Sequence, residues 1–240
     1  NSSRVTLQTI LKATKIHFMK YVFMLVLSVM SFGFQQPQKV RVIFFGDSIT
    51  QMGIEKGGYI SLIDSLSRAE GQQEKFEWIG AGIGGNKVYD LYLRLQKDIL
   101  SKKPDVVLIY VGVNDVWHKS SFGTGTDPDK FEKFYQAMLD QIKAAGAKII
   151  LCTPAVIGEK TDYSNPQDGD LNAYSNIIRQ IAKTNQIPLV DLRKLFLDYN
   201  LLHNKENKDK GILTYDRVHL NAQGNLLVAQ QLWNQLKSIK

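Results

Sequence analysis

Cysteine is nearly absent from this chain of 240 residues, in which Cys152 is the only one. A single thiol excludes an internal disulfide and a metal site built from clustered thiolates. Cys152 ends an apolar run that begins at residue 149, so we expect a small buried side chain rather than a nucleophile. Histidine is scarce too, and its four residues leave few candidates for a catalytic base.

The chain also lacks the charge pattern of a nucleic-acid-binding protein, although its formal net charge is +7. Four basic residues and no acidic ones lie within residues 1–36, which leaves a charge of +3 for the rest of the chain. The sequence has no basic stripe interleaved with aromatic residues, which binding along a phosphate backbone would require. We therefore expect no nucleic-acid partner.

An apolar stretch long enough to span a bilayer comfortably is missing as well. The apolar run at residues 21–30 follows a basic start at Met19 and precedes small residues, which is the pattern of a secretory signal. We predict an upstream segment at 1–18, a signal peptide-like segment at 19–36 and one domain at 37–240. The protein would then be secreted or periplasmic, with no stable membrane insertion after cleavage. The alternative is an uncleaved N-terminal anchor.

Hairpin signals are absent beyond residue 40, where segments with the pattern of buried strands alternate with amphipathic helical segments. Such alternation predicts an α/β fold with a mainly parallel five-stranded sheet and helices on both faces. The predicted strands cover residues 40–45, 76–79, 106–111, 148–152 and 188–191. The predicted helices cover residues 59–68, 86–100, 128–145, 171–185, 192–199 and 222–239. We expect loops at 80–85, 112–118, 120–126, 153–169 and 203–210.

Four short stretches rich in glycine and polar residues follow predicted strands or precede the last predicted helix. They are Gly46-Asp47-Ser48, Gly82-Ile83-Gly84-Gly85-Asn86, Gly112-Val113-Asn114-Asp115 and Asp216-Arg217-Val218-His219. Parallel strands present their carboxyl ends at one edge of the sheet, so we expect the four stretches to converge there. Each stretch taken alone is also typical of ordinary turns and helix caps.

Together and in this order, the four stretches resemble the blocks of the SGNH (GDSL-type) hydrolases, which supply Ser, Gly, Asn and a D-x-x-H pair. The resemblance extends from about residue 40 to the C-terminus. Ile49 replaces the leucine that is common in the family, and Gly80 stands where an asparagine is often found. The resemblance implies a three-layer flavodoxin-like fold and a carboxylic ester hydrolase that needs no metal and no cofactor.

The resemblance also implies the roles of individual residues. Ser48 would be the nucleophile, His219 its base, and Asp216 the carboxylate that orients His219. The backbone N–H groups of Ser48 and Gly85 and the side-chain amide of Asn114 would form the oxyanion hole. These residue types suit acyl transfer, because a serine hydroxyl needs a base and the tetrahedral intermediate needs donors already in place.

The four stretches indicate the type of reaction more narrowly than they indicate the substrate. A secretory signal without an obviously apolar lid favours a secreted serine esterase that hydrolyses short acyl esters, O-acetyl groups first among them, on carbohydrates. A lysophospholipase or an acyl-thioesterase of the same family is the alternative. A catalytically silent sugar- or lipid-binding module is a third reading, against which the complete set of site residues argues. The oligomeric state stays open.

A dinucleotide-binding protein is the rival suggested by residues 80–85, which match G-x-G-x-x-G after a predicted strand. In that fold an acidic residue about 20 positions further on holds the ribose at the end of the next strand. Asp105 has the required spacing but opens its predicted strand, so it would lie at the wrong edge of the sheet. Trp117 and His118 also lie near the third stretch, where we expect surface or wall positions.

Overall fold

Five strands form one parallel sheet at the centre of the computed structural model, which describes residues 38–239 together with Lys12, Lys15 and Met19. The strand order is β2-β1-β3-β4-β5, and every neighbouring pair is parallel. This is the order of a flavodoxin-like doubly wound sheet, so the predicted fold class is confirmed. The strands are β1 Val40–Gly46, β2 Phe76–Gly82, β3 Val106–Tyr110, β4 Lys148–Cys152 and β5 Leu189–Val190.

Eight α-helices join the strands within residues 38–239. They are α1 Ser48–Gly53, α2 Tyr59–Ala69, α3 Val88–Asp98, α4 Val113–Phe122, α5 Pro128–Ala144, α6 Asp168–Asn185, α7 Leu192–His203 and α8 Ala222–Leu236. Helix α2 packs against α8, whereas α3 packs against α5 and α5 against α6. Right-handed crossovers that run along the sheet in opposite directions place their helices on opposite faces. Helices α2 and α8 therefore form one outer layer, and α3, α5 and α6 form the other.

Contacts divide the chain into two units, Asn1–Gln38 and Lys39–Lys240, and every element named above belongs to the second. The predicted segments 1–18 and 19–36 fall outside the described residues, apart from three isolated positions. In the part of the chain that is described, no helix is both long and apolar enough to cross a bilayer.

The central strands are buried because both faces of the sheet are covered. All five residues of β3 are buried, as are the last five of β1. Their near-continuous apolar sequences are those expected of inner parallel strands. Cys152 ends β4 with no exposed surface, and burial raises the pKa of its thiol. The prediction of a buried structural cysteine is therefore confirmed.

The predicted glycine-rich turn at 80–85 was wrong in its first half, because β2 continues through Gly82. Gly80 and Gly82 pair with Phe44 and Gly46 of β1. A Cβ on Gly82 would lie 2.1 Å from the backbone N of Gln51, so this glycine lets α1 pass close to the strand. Glycine is typical of turns, but Gly82 lies in a strand, where the missing side chain allows the backbones of β2 and α1 to come close.

The predicted loop at 112–118 was also wrong, since residues from Val113 onward form α4. The loop predicted at 120–126 shortens accordingly, because α4 ends at Phe122 and Gly123 follows it in the left-handed conformation with φ +67°. All four residues of the first turn of α4 are buried. Because the polar residues Asn114 and Asp115 are buried here beside two valines, burial does not follow the apolar pattern and the sequence shows no helical period.

The loop predicted at 203–210 is a polar run, but it is not exposed to solvent throughout. Helix α7 continues to His203, and Asn204 is buried. The Asn204 side-chain amide donates to the backbone carbonyls of Glu159 at 2.8 Å and Lys208 at 2.7 Å. These bonds tie the start of the run to the protein interior. The other predicted boundaries agree with the structure to within three residues.

Candidate active site

The carboxyl ends of three adjacent strands bring the first three sequence stretches together. Ser48 follows β1 as the first residue of α1, Gly85 lies three residues beyond β2, and Asn114 is the second residue of α4 after β3. Strand β1 lies between β2 and β3, so the chain leaves it in one direction and later returns on its other side. Ligands of open α/β sheets bind at such a switch point.

Asp47 holds the turn that presents Ser48. Its carboxylate caps α1 by accepting the backbone N–H of Ile49 at 3.0 Å. The side chain is fully buried, and burial raises the pKa of Asp47 to about 7. The backbone bond from Ile49 and the distant Arg94 charge oppose this shift only in part.

Ser48, His219 and Asp216 form a continuous hydrogen-bonded chain. Ser48 Oγ lies 2.9 Å from His219 Nε2, and His219 Nδ1 lies 2.6 Å from Asp216 Oδ2. A carboxylate at Nδ1 holds the proton there, which leaves Nε2 free to accept the proton of the serine hydroxyl. The arrangement fits a serine nucleophile with its base and an orienting carboxylate.

The second oxygen of Asp216 fixes its direction. Asp216 Oδ1 accepts the backbone N–H groups of Val218 at 3.1 Å and His219 at 2.8 Å. Partial burial by itself would raise the pKa of Asp216, but the bonds from the His219 ring and from the two N–H groups lower it below its ordinary value. The carboxylate therefore stays ionised at neutral pH.

A buried carboxylate anchors the segment that carries Asp216 and His219. Glu159, in the long loop after β4, accepts the backbone N–H groups of Ile212, Leu213 and Thr214 at 2.8, 2.6 and 2.8 Å. The N–H of Gly158 donates to the carbonyl of Arg217 at 2.9 Å in the same segment. Sequence reasoning missed Glu159, because nothing around it distinguishes it from a solvated loop residue.

The residues expected at the oxyanion hole meet around the loop that follows β2, which is held by hydrogen bonds. Gly85 adopts φ +75°, which favours glycine, and the N–H of Gly84 is taken by Gln51 Oε1 at 2.6 Å. Asn114 is buried, and its Nδ2 donates to the carbonyl of Asn86 at 3.1 Å. An amide nitrogen has two N–H donors, so one bond to Asn86 leaves a second for a ligand.

Aromatic rings flank His219 on two sides. The Trp117 ring meets the imidazole edge-on with centroids 6.3 Å apart, and the Tyr215 ring lies nearly parallel to it at 5.8 Å. Tyr215 is 53% exposed, and Phe122 on α4 is 68% exposed and packs edge-on against His118. Tyr215 was missed from the sequence, since a tyrosine before a turn carries no signal of its own.

Asp115 stabilises the loops around Asn114. It accepts the backbone N–H of Val88 at 3.2 Å and the hydroxyl of Thr126, which ties the starts of α3 and α5 to α4. Burial raises the pKa of Asp115 to about 6, despite these two bonds.

Among residues 38–239 and the three described positions before them, no three His, Cys, Asp or Glu side chains are grouped as a metal ion would require.

Comparisons with known proteins show which family the chain is similar to. The sequence model of the GDSL-like Lipase/Acylhydrolase family matches residues 44–227. The acetylxylan esterase of Geobacillus stearothermophilus is 27% identical over 207 residues, covering 79% of this chain and 90% of that protein. The isoamyl acetate-hydrolyzing esterase 1 homolog of Bos taurus is 27% identical over 209 residues, or 80% of each chain.

A solved structure is more similar still. The crystal structure of an acetyl xylan esterase, AlAXEase, is 61% identical in sequence and superimposes with a TM-score of 0.81. The match covers 82% of this chain and 100% of that one.

Proposed function

The chain belongs to the GDSL-like lipase/acylhydrolase family and is a carboxylic ester hydrolase, and from this premise we propose that it removes acetyl groups from O-acetylated carbohydrates by attack of Ser48. The observation that carries the proposal is the hydrogen-bonded chain from Ser48 Oγ through His219 to Asp216, at 2.9 and 2.6 Å. Nucleophile, base and orienting group lie within reach of one another, as acyl transfer by a serine requires.

The first half of the reaction acylates Ser48. Its Oγ attacks the acetyl carbonyl carbon while His219 Nε2 takes the hydroxyl proton, and the carbonyl oxygen becomes an oxyanion. Asp216, held by its two backbone bonds, stabilises the imidazolium that forms. Collapse of the tetrahedral intermediate breaks the bond to the sugar oxygen, which leaves with the proton from His219.

The second half releases acetate. A water molecule gives its proton to His219 and attacks the acetyl-Ser48 carbonyl, and the proton then returns to Ser48 Oγ as the ester bond breaks. In both halves the negative charge on the carbonyl oxygen is met by the N–H groups of Ser48 and Gly85 and by the Asn114 amide. These donors are fixed before the substrate arrives, so they need no reorganisation during the reaction.

Two observations support an acetylated carbohydrate as the substrate. Relatives from two comparisons are named as acetylxylan esterases, one of them 61% identical. Tyr215 exposes an apolar ring face beside His219, and exposed apolar surface beside a catalytic group is typical of a ligand groove. The apolar C–H face of a pyranose ring can lie against such a ring while its hydroxyls remain in water.

The test compares acyl chain length and alcohol. Hydrolysis of p-nitrophenyl esters from acetyl to decanoyl is measured beside acetylated xylooligosaccharides, with Ser48→Ala and the surface control Ser65→Ala. We expect acetyl to be the fastest ester, acetate release from the oligosaccharides, and a loss of at least about 10³-fold in Ser48→Ala only. Activity retained in Ser48→Ala would reject the mechanism, and a maximum at long chains would reject the acetyl substrate in favour of a lipid.

We also propose that residues 19–36 direct export, as the basic start and apolar run suggest. Fusing this segment to a phosphatase that is active only outside the cytoplasm tests the proposal, with Leu25→Arg as the control. Activity in the soluble exported fraction would support a cleaved signal. Activity in the membrane fraction would indicate the anchored alternative, and no exported activity would reject both.

A further inference from the structure

Arg94, on the inner side of α3, makes an unusual set of contacts close to the proposed site. Its guanidinium donates from Nε to Asn86 Oδ1 at 2.7 Å, from Nη1 to the carbonyl of Ala81 at 3.0 Å and from Nη2 to the carbonyl of Gly46 at 2.8 Å. Nη1 also donates to Asp98 at 3.0 Å. Only 13% of the side chain is exposed. All three of its nitrogens are therefore engaged.

Two of the acceptors are backbone carbonyls at the ends of neighbouring strands. Gly46 closes β1 two residues before Ser48, and Ala81 lies in β2 four residues before Gly85. The guanidinium carbon also sits 4.6 Å from the centroid of the Phe45 ring in β1. One side chain thus fixes the spacing of the two strand ends from which the Ser48 and Gly85 N–H groups project.

The third acceptor leads to the remaining oxyanion donor. Asn86 follows Gly85 directly, its side chain is held by Arg94, and its carbonyl accepts Asn114 Nδ2 at 3.1 Å. The orientation of the Asn114 amide therefore depends on where Asn86 lies. The guanidinium thus contacts the segments that carry Ser48 and Gly85 directly, and it acts on the Asn114 amide through Asn86.

An ordinary helix-surface role does not account for these contacts. The i,i+4 pair with Asp98 engages only one nitrogen, and such a pair on a helix contributes little to stability. The planar fork of arginine can reach three acceptors in different directions at once, whereas the single ammonium of lysine cannot. The geometry demands this residue type at position 94.

We propose that Arg94 is the positioning residue of the oxyanion hole, acting through Gly46, Ala81 and Asn86 to hold the N–H groups of Ser48 and Gly85 and the Asn114 amide at one point. The inference rests on the proposed function, because it assigns Arg94 to donors named there. Arg94 itself touches neither the substrate nor the reacting atoms. Its effect should appear in the transition state rather than in substrate binding.

The first test is Arg94→Lys, assayed with p-nitrophenyl acetate. The variant keeps the charge and loses the fork, so we expect kcat to fall by about 10- to 100-fold while KM changes by less than about threefold. Asn86→Ala removes the Nε acceptor but keeps the carbonyl that binds Asn114, and we expect a smaller fall in kcat in the same direction. Asn86→Ala keeps the inference testable if Arg94→Lys does not fold.

Arg193→Lys is the matched control. Arg193 is also buried, with 5% of its side chain exposed, and it donates to Asn172, Asp168 and the carbonyl of Ala155. None of these acceptors lies in the segments that carry Ser48, Gly85 or Asn114. Both substitutions should lower the melting temperature, but only Arg94→Lys should lower kcat at a temperature where each variant is folded.

A double-mutant cycle with Asn114→Ala separates positioning from general damage. If Arg94 acts through the oxyanion hole, Arg94→Lys should cost clearly less in the Asn114→Ala background than in the parent enzyme. Equal cost in both backgrounds, or unchanged kcat in Arg94→Lys, would overturn the inference and leave the proposed function standing. Full activity of Asn114→Ala alone would reject the oxyanion assignment itself, and the inference about Arg94 with it.

Discussion

At the scale of single residues, Asp216 shows how one side chain fixes the proton of a neighbour. Its Oδ1 is occupied by two backbone N–H groups, so only Oδ2 faces His219 Nδ1. An asparagine here would turn its amide oxygen toward the two N–H donors and its NH₂ group toward Nδ1. The imidazole would then carry its proton on Nε2, where it cannot accept one from Ser48.

Asp216→Asn should therefore lower kcat by about 10³- to 10⁴-fold with little change in the melting temperature, because the shape is kept and the tautomer is wrong. Steady-state kinetics with p-nitrophenyl acetate measure the loss. Asp198→Asn, which removes an exposed carboxylate paired with Lys194, serves as the control and should behave as the parent. A variant of Asp216 that keeps more than a tenth of the activity would contradict the proposed role.

At the scale of structural elements, the segment between α7 and α8 depends on the loop after β4. Glu159 satisfies three consecutive backbone N–H groups of that segment with its two oxygens. Buried donors without partners are costly, and bonds to a charged acceptor are stronger than neutral ones. The position of His219 thus rests on a carboxylate sixty residues earlier in the chain.

Glu159→Gln should destabilise the protein by about 1–3 kcal/mol, since its NH₂ group would face a backbone N–H that it cannot accept. At about 2–4 °C per kcal/mol for a domain of this size, thermal denaturation resolves the change. We also expect a lower kcat at temperatures well below the melting temperature, where the variant is folded, because His219 is no longer held in place. Glu132→Gln on the exposed face of α5 is the control, and an identical melting curve for the two variants would refute the anchoring role.

At the scale of the whole molecule, two buried carboxyl groups link stability to pH. Burial raises the pKa of Asp47 to about 7 and that of Asp115 to about 6, both from an ordinary value of 3.8. Between about pH 4 and 7, the folded state therefore holds protons that the unfolded state has released. The free energy of unfolding must then decrease as the pH rises through this window.

We accordingly expect the melting temperature to fall between about pH 4 and pH 7, and the fall to be shallower in Asp47→Asn. Asparagine keeps an oxygen that can accept the Ile49 N–H, so the α1 cap survives while the titration is removed. Calorimetry across this range measures both slopes. Asp140→Asn, on the surface of α5, should retain the parent slope, and a rising melting temperature in the parent would show that the buried groups do not dominate.

Much of the fold could be predicted from the sequence because its determinants are local. The alternation of apolar strand segments with amphipathic helical segments predicted the sheet and most helices. The apolar neighbours of Cys152 predicted its burial. The predictions for α4 and for the end of β2 were wrong for a different reason. There a buried helix start and a strand rich in glycine carry the composition of loops, and packing against α1 and the sheet decides between the two.

The sequence by itself determined the types and the order of the residues at the candidate site, since Ser48, Gly85, Asn114, Asp216 and His219 stand in four recognisable stretches. Only the tertiary structure decided how they are held. Arg94 lies 48 residues from Gly46, Glu159 lies 54 residues from Leu213, and Tyr215 meets His219 across a turn. The contacts of Arg94 and Glu159 join segments whose local sequences are independent of each other, so they form only when the chain has folded.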